Sequence, residues 1–155
     1  MPMAFKEWAA ICRALATRRQ DVILRKGGIV EPGGAFRPEH ASFWLMPTFL
    51  HQSPESLIPE ARDLLDGIDD DRPPEGTVVF RHMATVREAR RVLTMEHLAP
   101  YRNRHVWSDA VVAERFHRWK DELYVLEVEV TPLPSPVSLP WNEAYGGCRS
   151  WVEIP

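Results

Sequence analysis

Leu123-Tyr124-Val125-Leu126-Glu127-Val128-Glu129-Val130-Thr131 is the stretch that decides the fold class. Tyr124, Leu126, Val128 and Val130 alternate with Glu127 and Glu129, the period-two pattern of a strand with one face toward a core. The chain continues Pro132-Leu133-Pro134-Ser135-Pro136 before Val137-Ser138-Leu139. Alternate prolines hold a stiff, extended crossing, and residues 137–139 begin a short return strand. Two strands joined in this way imply a small, strongly bent sheet or a partly closed barrel.

Upstream, residues 108–120 read as a helix that Ser108 caps, with Asp109 well placed against its dipole. The spacing predicts further helices over 3–16, 56–66 and 86–98, the first from Phe5, Trp8, Ala9, Cys12 and Leu15. Other strands are predicted at 21–29, 43–50 and 77–83. Pro47 inside the second makes it an edge or a bulged strand. Strands scattered among four short helices indicate α+β rather than a βαβ series. No internal repeat or long linker divides residues 1–155, so a single domain is expected.

The composition excludes several classes. No apolar run approaches the roughly 20 residues of a membrane helix, and the N-terminus does not read as a secretory signal. Cys12 and Cys148 stand far apart, outside any Cys-x-x-Cys pair, so a thiolate zinc site is not expected and both read as reduced thiols in a cytoplasm. No cofactor or metal is expected.

The net charge of −3 argues weakly against a general polyanion binder. It hides blocks: net +3 over 1–50, −6 over 51–76, +3 over 77–122 and −3 over 123–155. Apart from Lys6, Lys26 and Lys120, every basic residue is arginine, which suits bidentate phosphate contact but equally follows from genomic base composition.

Arg25, Lys26, Gly27 and Gly28 read as an anion site, because glycine lets the backbone approach while the cations neutralise phosphate. The plain alternative is a strand end with a solvated basic pair. No P-loop spacing follows. Glu39, His40 and His105 are candidate catalytic groups, with structural histidines as the bland reading. An extended 41–50 segment would hold His40 and His51 roughly 30 Å apart at about 3.3 Å per residue. They therefore serve opposite rims unless the strand bends near Pro47. Thr48, His51, Gln52, Trp107, Gly146 and Gly147 are candidate pocket-lining residues. Ser108 reads as a cap rather than a nucleophile, and His117 with Glu114 and Asp121 as an ordinary helix face. Cys148 has no histidine placed beside it by the sequence. Neither the paired-glutamate helix of a Nudix hydrolase nor the Glu-x-Lys strand of a restriction-type nuclease is found.

Phe5-Lys6-Glu7-Trp8, residues 24–29, Glu39-His40, Pro47-Thr48-Phe49 with His51-Gln52, and His105-Val106-Trp107-Ser108 together resemble a bacterial family. It is the one catalogued as domain of unknown function 1802, and the likeness covers nearly the whole chain. Members of that family sometimes occur with Mrr-type restriction endonuclease domains, so the resemblance implies a role near nucleic acid or phage defence. The order of elements also resembles the PUA-like superfamily of small barrels, which includes the ASCH and EVE domains and implies binding of RNA or modified bases. The ASCH signature Gly-x-Lys-x-x-Glu-x-Arg would fall on Arg18, Gln20, Ile23 and Arg25, and only Arg25 matches.

The leading expectation is therefore a nucleic-acid- or nucleotide-binding domain of PUA-like, α+β architecture. Two others stand beside it. One is a small hydrolase or nucleotide-processing enzyme using Glu39, His40 and His105. The other is a protein-interaction module pairing through the aromatic strand 43–49.

Overall fold

The computed structural model describes residues 2–26, 41–147 and 149–155, with the backbone alone at 29–30 and 36–37. Along the chain come β1 (Met3–Trp8), α1 (Ala9–Ala16), β2 (Val22–Arg25), the short pair β3 (Ile29–Val30) and β4 (Phe36–Arg37), and β5 (Ser42–Thr48). After them follow β6 (Thr77–Val92), α2 (Asp109–His117), β7 (Leu123–Pro140) and β8 (Trp151–Glu153). Short 3₁₀ segments, among them Pro59–Leu65 and Met95–Arg104, fill the connections.

Six strands form one mixed sheet in the order β2-β7-β6-β5-β1-β8. Only β1 and β5 run parallel; the other neighbours are antiparallel. The sheet does not close by strand pairing, but it bends until its edges meet. Arg25 ends β2 at one edge, and its guanidinium lies 5.3 Å from the ring of Trp151 in β8, the other edge. It also lies 5.8 Å from the Phe5 ring. Phe5, Phe43 and Trp151 pack ring against ring at 4.8–5.6 Å, within the range where tilted aromatic pairs attract. The α+β class and the strongly bent mixed sheet expected from the sequence are what the chain has.

The differences are informative. Residues 3–8 are a strand, not the start of a helix, because Ala4 and Phe5 are buried between β5 and β8 on either side. The helical spacing holds only from Ala9. Residues 86–92 are also strand. The helix-favouring run Arg87-Glu88-Ala89-Arg90-Arg91 is held flat by its pairing with residues 123–128. Arg87 pairs with Glu129, and Arg91 with Glu122 at 2.5 Å. Tertiary pairing of this kind overrides local propensity.

The proline segment is not a crossing between two strands. Both halves of β7 pair with β6, Phe80 with Val137 and His82 with Pro132, so residues 133–136 bulge out opposite Arg81. Pro47 lies past the last β6 partner, where β5 keeps only β1 beside it. Between them β6 and β1 pair residues 42–48. Trp44 is thus paired on both sides, while residues 45–48 pair with β1 alone in the sheet register.

α2 begins where Ser108 accepts the Val111 N–H at 3.3 Å. α1 has no side-chain cap of its own at its first residue; Gln52 instead accepts the Ala10 N–H across the chain at 3.3 Å. Among the described residues no helix is long and apolar enough to cross a membrane.

Candidate functional site

Where the two sheet edges approach without pairing, a cleft of about 1110 Å³ opens. It is lined by residues 5–8 of β1, residues 24–26 at the end of β2, residues 46–51 after β5, and residues 72–78 before and at the start of β6. Arg115, Arg118 and Trp119 enter from the end of α2, and Trp141, Tyr145, Gly146, Gly147, Arg149 and Ser150 from the C-terminal segment. Its basic residues are Lys6, Arg25, Lys26, Arg72, Arg115, Arg118 and Arg149; its acidic ones are Glu7 and Glu75.

Strand alternation sends Lys6 and Glu7 to opposite faces of β1. Lys6 Nζ donates to the carbonyls of Tyr145 at 2.9 Å and Gly147 at 2.7 Å, fixing the C-terminal wall. Gly147 has φ +78°, a conformation a side chain would oppose. Glu7 is only 8% exposed. Its Oε1 accepts the Trp8 N–H at 2.8 Å, while Oε2 accepts no hydrogen bond from any described residue. Burial pushes the Glu7 carboxyl above its usual range, against the opposing pull of the Arg115 charge and the Trp8 N–H.

Arg115 is half-buried, with its guanidinium 4.1 Å from the Trp107 ring centroid and an N–H toward the Leu24 carbonyl at 3.4 Å. Burial lowers its pKa and the Glu7 charge raises it. The two feel each other without a direct ion pair, so a carboxylate and a guanidinium stand at the cleft floor with bonding capacity in hand.

The rim is aromatic and cationic. Trp119 is 86% exposed and Trp141 49% exposed. Trp119 has φ +63°, which is costly for a bulky residue and persists only where the surroundings impose it. Lys26 imposes it. Its ammonium donates to the carbonyls of Phe116 at 2.7 Å, Glu122 at 2.8 Å and Lys120, gathering the turn that carries Trp119. Arg118 is held by Glu114 at 2.6 Å. Arg149 makes no hydrogen bond or ion pair with a described residue.

Of the residues singled out in the sequence, the structure brings Arg25, Lys26, Thr48, His51, Gly146 and Gly147 to this one cleft. Gly27, Gly28, Glu39, His40 and Cys148 lie outside the described residues. Lys26 corrects its expected part: its ammonium is committed to carbonyls at the end of α2, the usual business of a lysine at a helix C-terminus. Thr48 Oγ1 donates to the Glu7 carbonyl at 3.3 Å.

Three expected site residues lie elsewhere. Gln52 holds Ala10 and the Thr48 and Leu50 carbonyls. Trp107 is 1% exposed and forms the support beneath Arg115 rather than a surface platform. His105 is 6% exposed; its Nδ1 accepts the Trp107 N–H at 3.1 Å, and burial lowers its pKa to about 4. A buried, neutral ring away from the cleft is a structural group, so the hydrolase expectation loses His105. Among the described residues no cluster of His, Cys, Asp and Glu could hold a metal.

Glu7, Arg115, Trp119 and Arg149 were not singled out. A helix reading of 3–16 hid the alternation that would have shown Glu7 sharing a face with Phe5. An aromatic just past a helix end was the available sign for Trp119.

The family described as Domain of unknown function (DUF1802) matches residues 4–155. The sequence matches no curated protein. Among solved structures, the chain is similar to the ASCH protein of Zymomonas mobilis, with a TM-score of 0.52 and 10% identity, covering 82% of this chain and 66% of that one. A variant of that protein with a serine replaced by alanine gives a TM-score of 0.55 at 10% identity, covering 99% and 88%. At such identity the likeness concerns the fold alone.

Proposed function

This chain belongs to the family described as Domain of unknown function (DUF1802), and from that premise we propose that its cleft binds single-stranded nucleic acid. One observation carries the reading: two exposed tryptophans, Trp119 and Trp141, border a cleft supplied with Arg25, Arg115, Arg118 and Arg149. Exposed indole offers a stacking surface to any base, and arginine follows the phosphates between bases. Trp119 is held outward in a strained backbone conformation, with the Arg118 guanidinium 5.9 Å from its ring centroid, and strain of this kind concentrates at ligand sites. The PUA-like sheet supports this assignment at the level of fold, and the family resemblance supports a setting in restriction or phage defence.

The test is fluorescence anisotropy with single strands of about ten nucleotides, titrated at several salt concentrations. Binding is expected at low salt. Trp119→Ala should weaken it by about 1–3 kcal/mol, the usual worth of one stacked base. Arg149→Ala should reduce the slope of log affinity against log salt by about 0.7. No binding at low salt, or binding indifferent to both changes, refutes the assignment.

A further inference from the structure

We infer that the cleft floor, where Glu7 stands beside Arg115, is a base-reading subsite selective for guanine; this rests on the single-strand reading above. Glu7 is more than nine-tenths buried, lines the cleft, and keeps Oε2 without a partner among the described residues. A buried carboxylate left short of donors is costly, and its protein neighbours supply only the Trp8 N–H. An ionised carboxylate only accepts, so a ligand that completes it must donate. Arg115 only donates, so its partner must accept.

A donor face next to an acceptor is the Watson–Crick edge of guanine, with N1–H and the N2 amino group beside O6. Guanine would turn the two N–H groups to Glu7 and O6 to Arg115. Adenine turns its N1 lone pair toward the carboxylate. Hypoxanthine keeps N1–H and O6 but lacks the amino group. Trp8, which also lines the cleft and packs edge-on to Trp107 at 5.0 Å, closes the apolar side of the floor.

The experiment compares single strands that differ only in one base, guanine, hypoxanthine or adenine, over a series of pH values. The parent should bind the guanine strand roughly tenfold more tightly than the adenine strand, with hypoxanthine between. Glu7→Gln keeps the shape of the side chain and should bring the three affinities within roughly threefold of one another. Trp119→Ala should weaken all three alike. If strands bind but guanine holds no advantage in the parent, or if the ranking survives Glu7→Gln, the guanine subsite is refuted while the nucleic-acid reading stands. If no strand binds, both are refuted.

Discussion

Lys26 separates a phosphate ligand from a scaffold, and Lys26→Met is the substitution that decides between them. Its ammonium satisfies the carbonyl of Phe116 in the last turn of α2 and those of Lys120 and Glu122 just after it. Hydrogen bonds to a charged group are worth about 1.5–3 kcal/mol each when well shielded. Here the ammonium is partly in solvent, so each bond is discounted toward the values of exposed pairs, below about 1 kcal/mol. The favourable position at a helix C-terminus contributes about 0.3–1 kcal/mol. A total loss near 2 kcal/mol follows, which for a chain of 155 residues lowers Tm by about 4–8 °C. The same substitution loosens the turn that presents Trp119, so single-strand affinity should fall while its salt dependence stays unchanged. Thermal unfolding by circular dichroism and salt-resolved anisotropy measure the two effects. An unaltered Tm together with a salt slope reduced by about 0.7 would show that Lys26 neutralises phosphate, and the scaffold reasoning would be refuted.

Two further outcomes concern pH. The Glu7 carboxyl is raised above 4.5 by burial, so its contribution to stability is full below that value and is lost as pH rises through the raised pKa. Glu7→Gln should therefore be more stable than the parent at neutral pH, with the gap closing in acid; denaturant midpoints across pH check this, and a gap independent of pH would refute it. His105 behaves oppositely. Its pKa falls from 6.5 to about 4, so its contribution is present above about pH 6.5 and is lost as pH falls toward 4, on the order of 3 kcal/mol in all. His105→Gln should flatten the stability profile in that window; an identical profile in both proteins would mean that the ring titrates normally.

Much of the fold was legible because strong local patterns agreed with their surroundings. The alternation at residues 123–130 belongs to a strand paired along its length with β6 and over residues 124–127 with β2 as well, so its pattern survives. Ser108 caps a helix because its hydroxyl needs only the next turn. The misreadings share a physical origin. Residues 3–8 and 86–92 take their form from distant partners, and apolar spacing over six or seven residues does not separate a strand from a helix turn. Each error then spread to the site. A helix over residues 3–8 leaves Glu7 off the apolar face, whereas the strand turns it into the cleft. The cleft itself joins residues more than a hundred positions apart, Arg25 and Arg149 among them, and no local period encodes such a meeting.

The charge blocks explain how a protein of net charge −3 can present a cationic cleft. Part of the acidic stretch 51–76 faces α1 and the turn after it. Arg13 holds Asp71 at 2.7 Å together with the Leu64 and Asp66 carbonyls, and Arg19 holds Asp63 at 2.8 Å. Two charges of the first basic block are thereby spent on structure. Most arginines of the second basic block are spent likewise: Arg91 on Glu122, Arg102 on Asp109, Arg104 on Asp21 and Glu127. What remains toward the cleft includes Arg115 above Trp107 and Arg149. At physiological salt, charges act over about 8 Å, so the carboxylates paired with Arg13 and Arg19 matter less to the cleft than Glu75, which lines it. Net charge is the wrong quantity for judging an anion partner here. The relevant one is the cationic charge left over after internal pairing, and that charge lies beside Trp119 and Trp141.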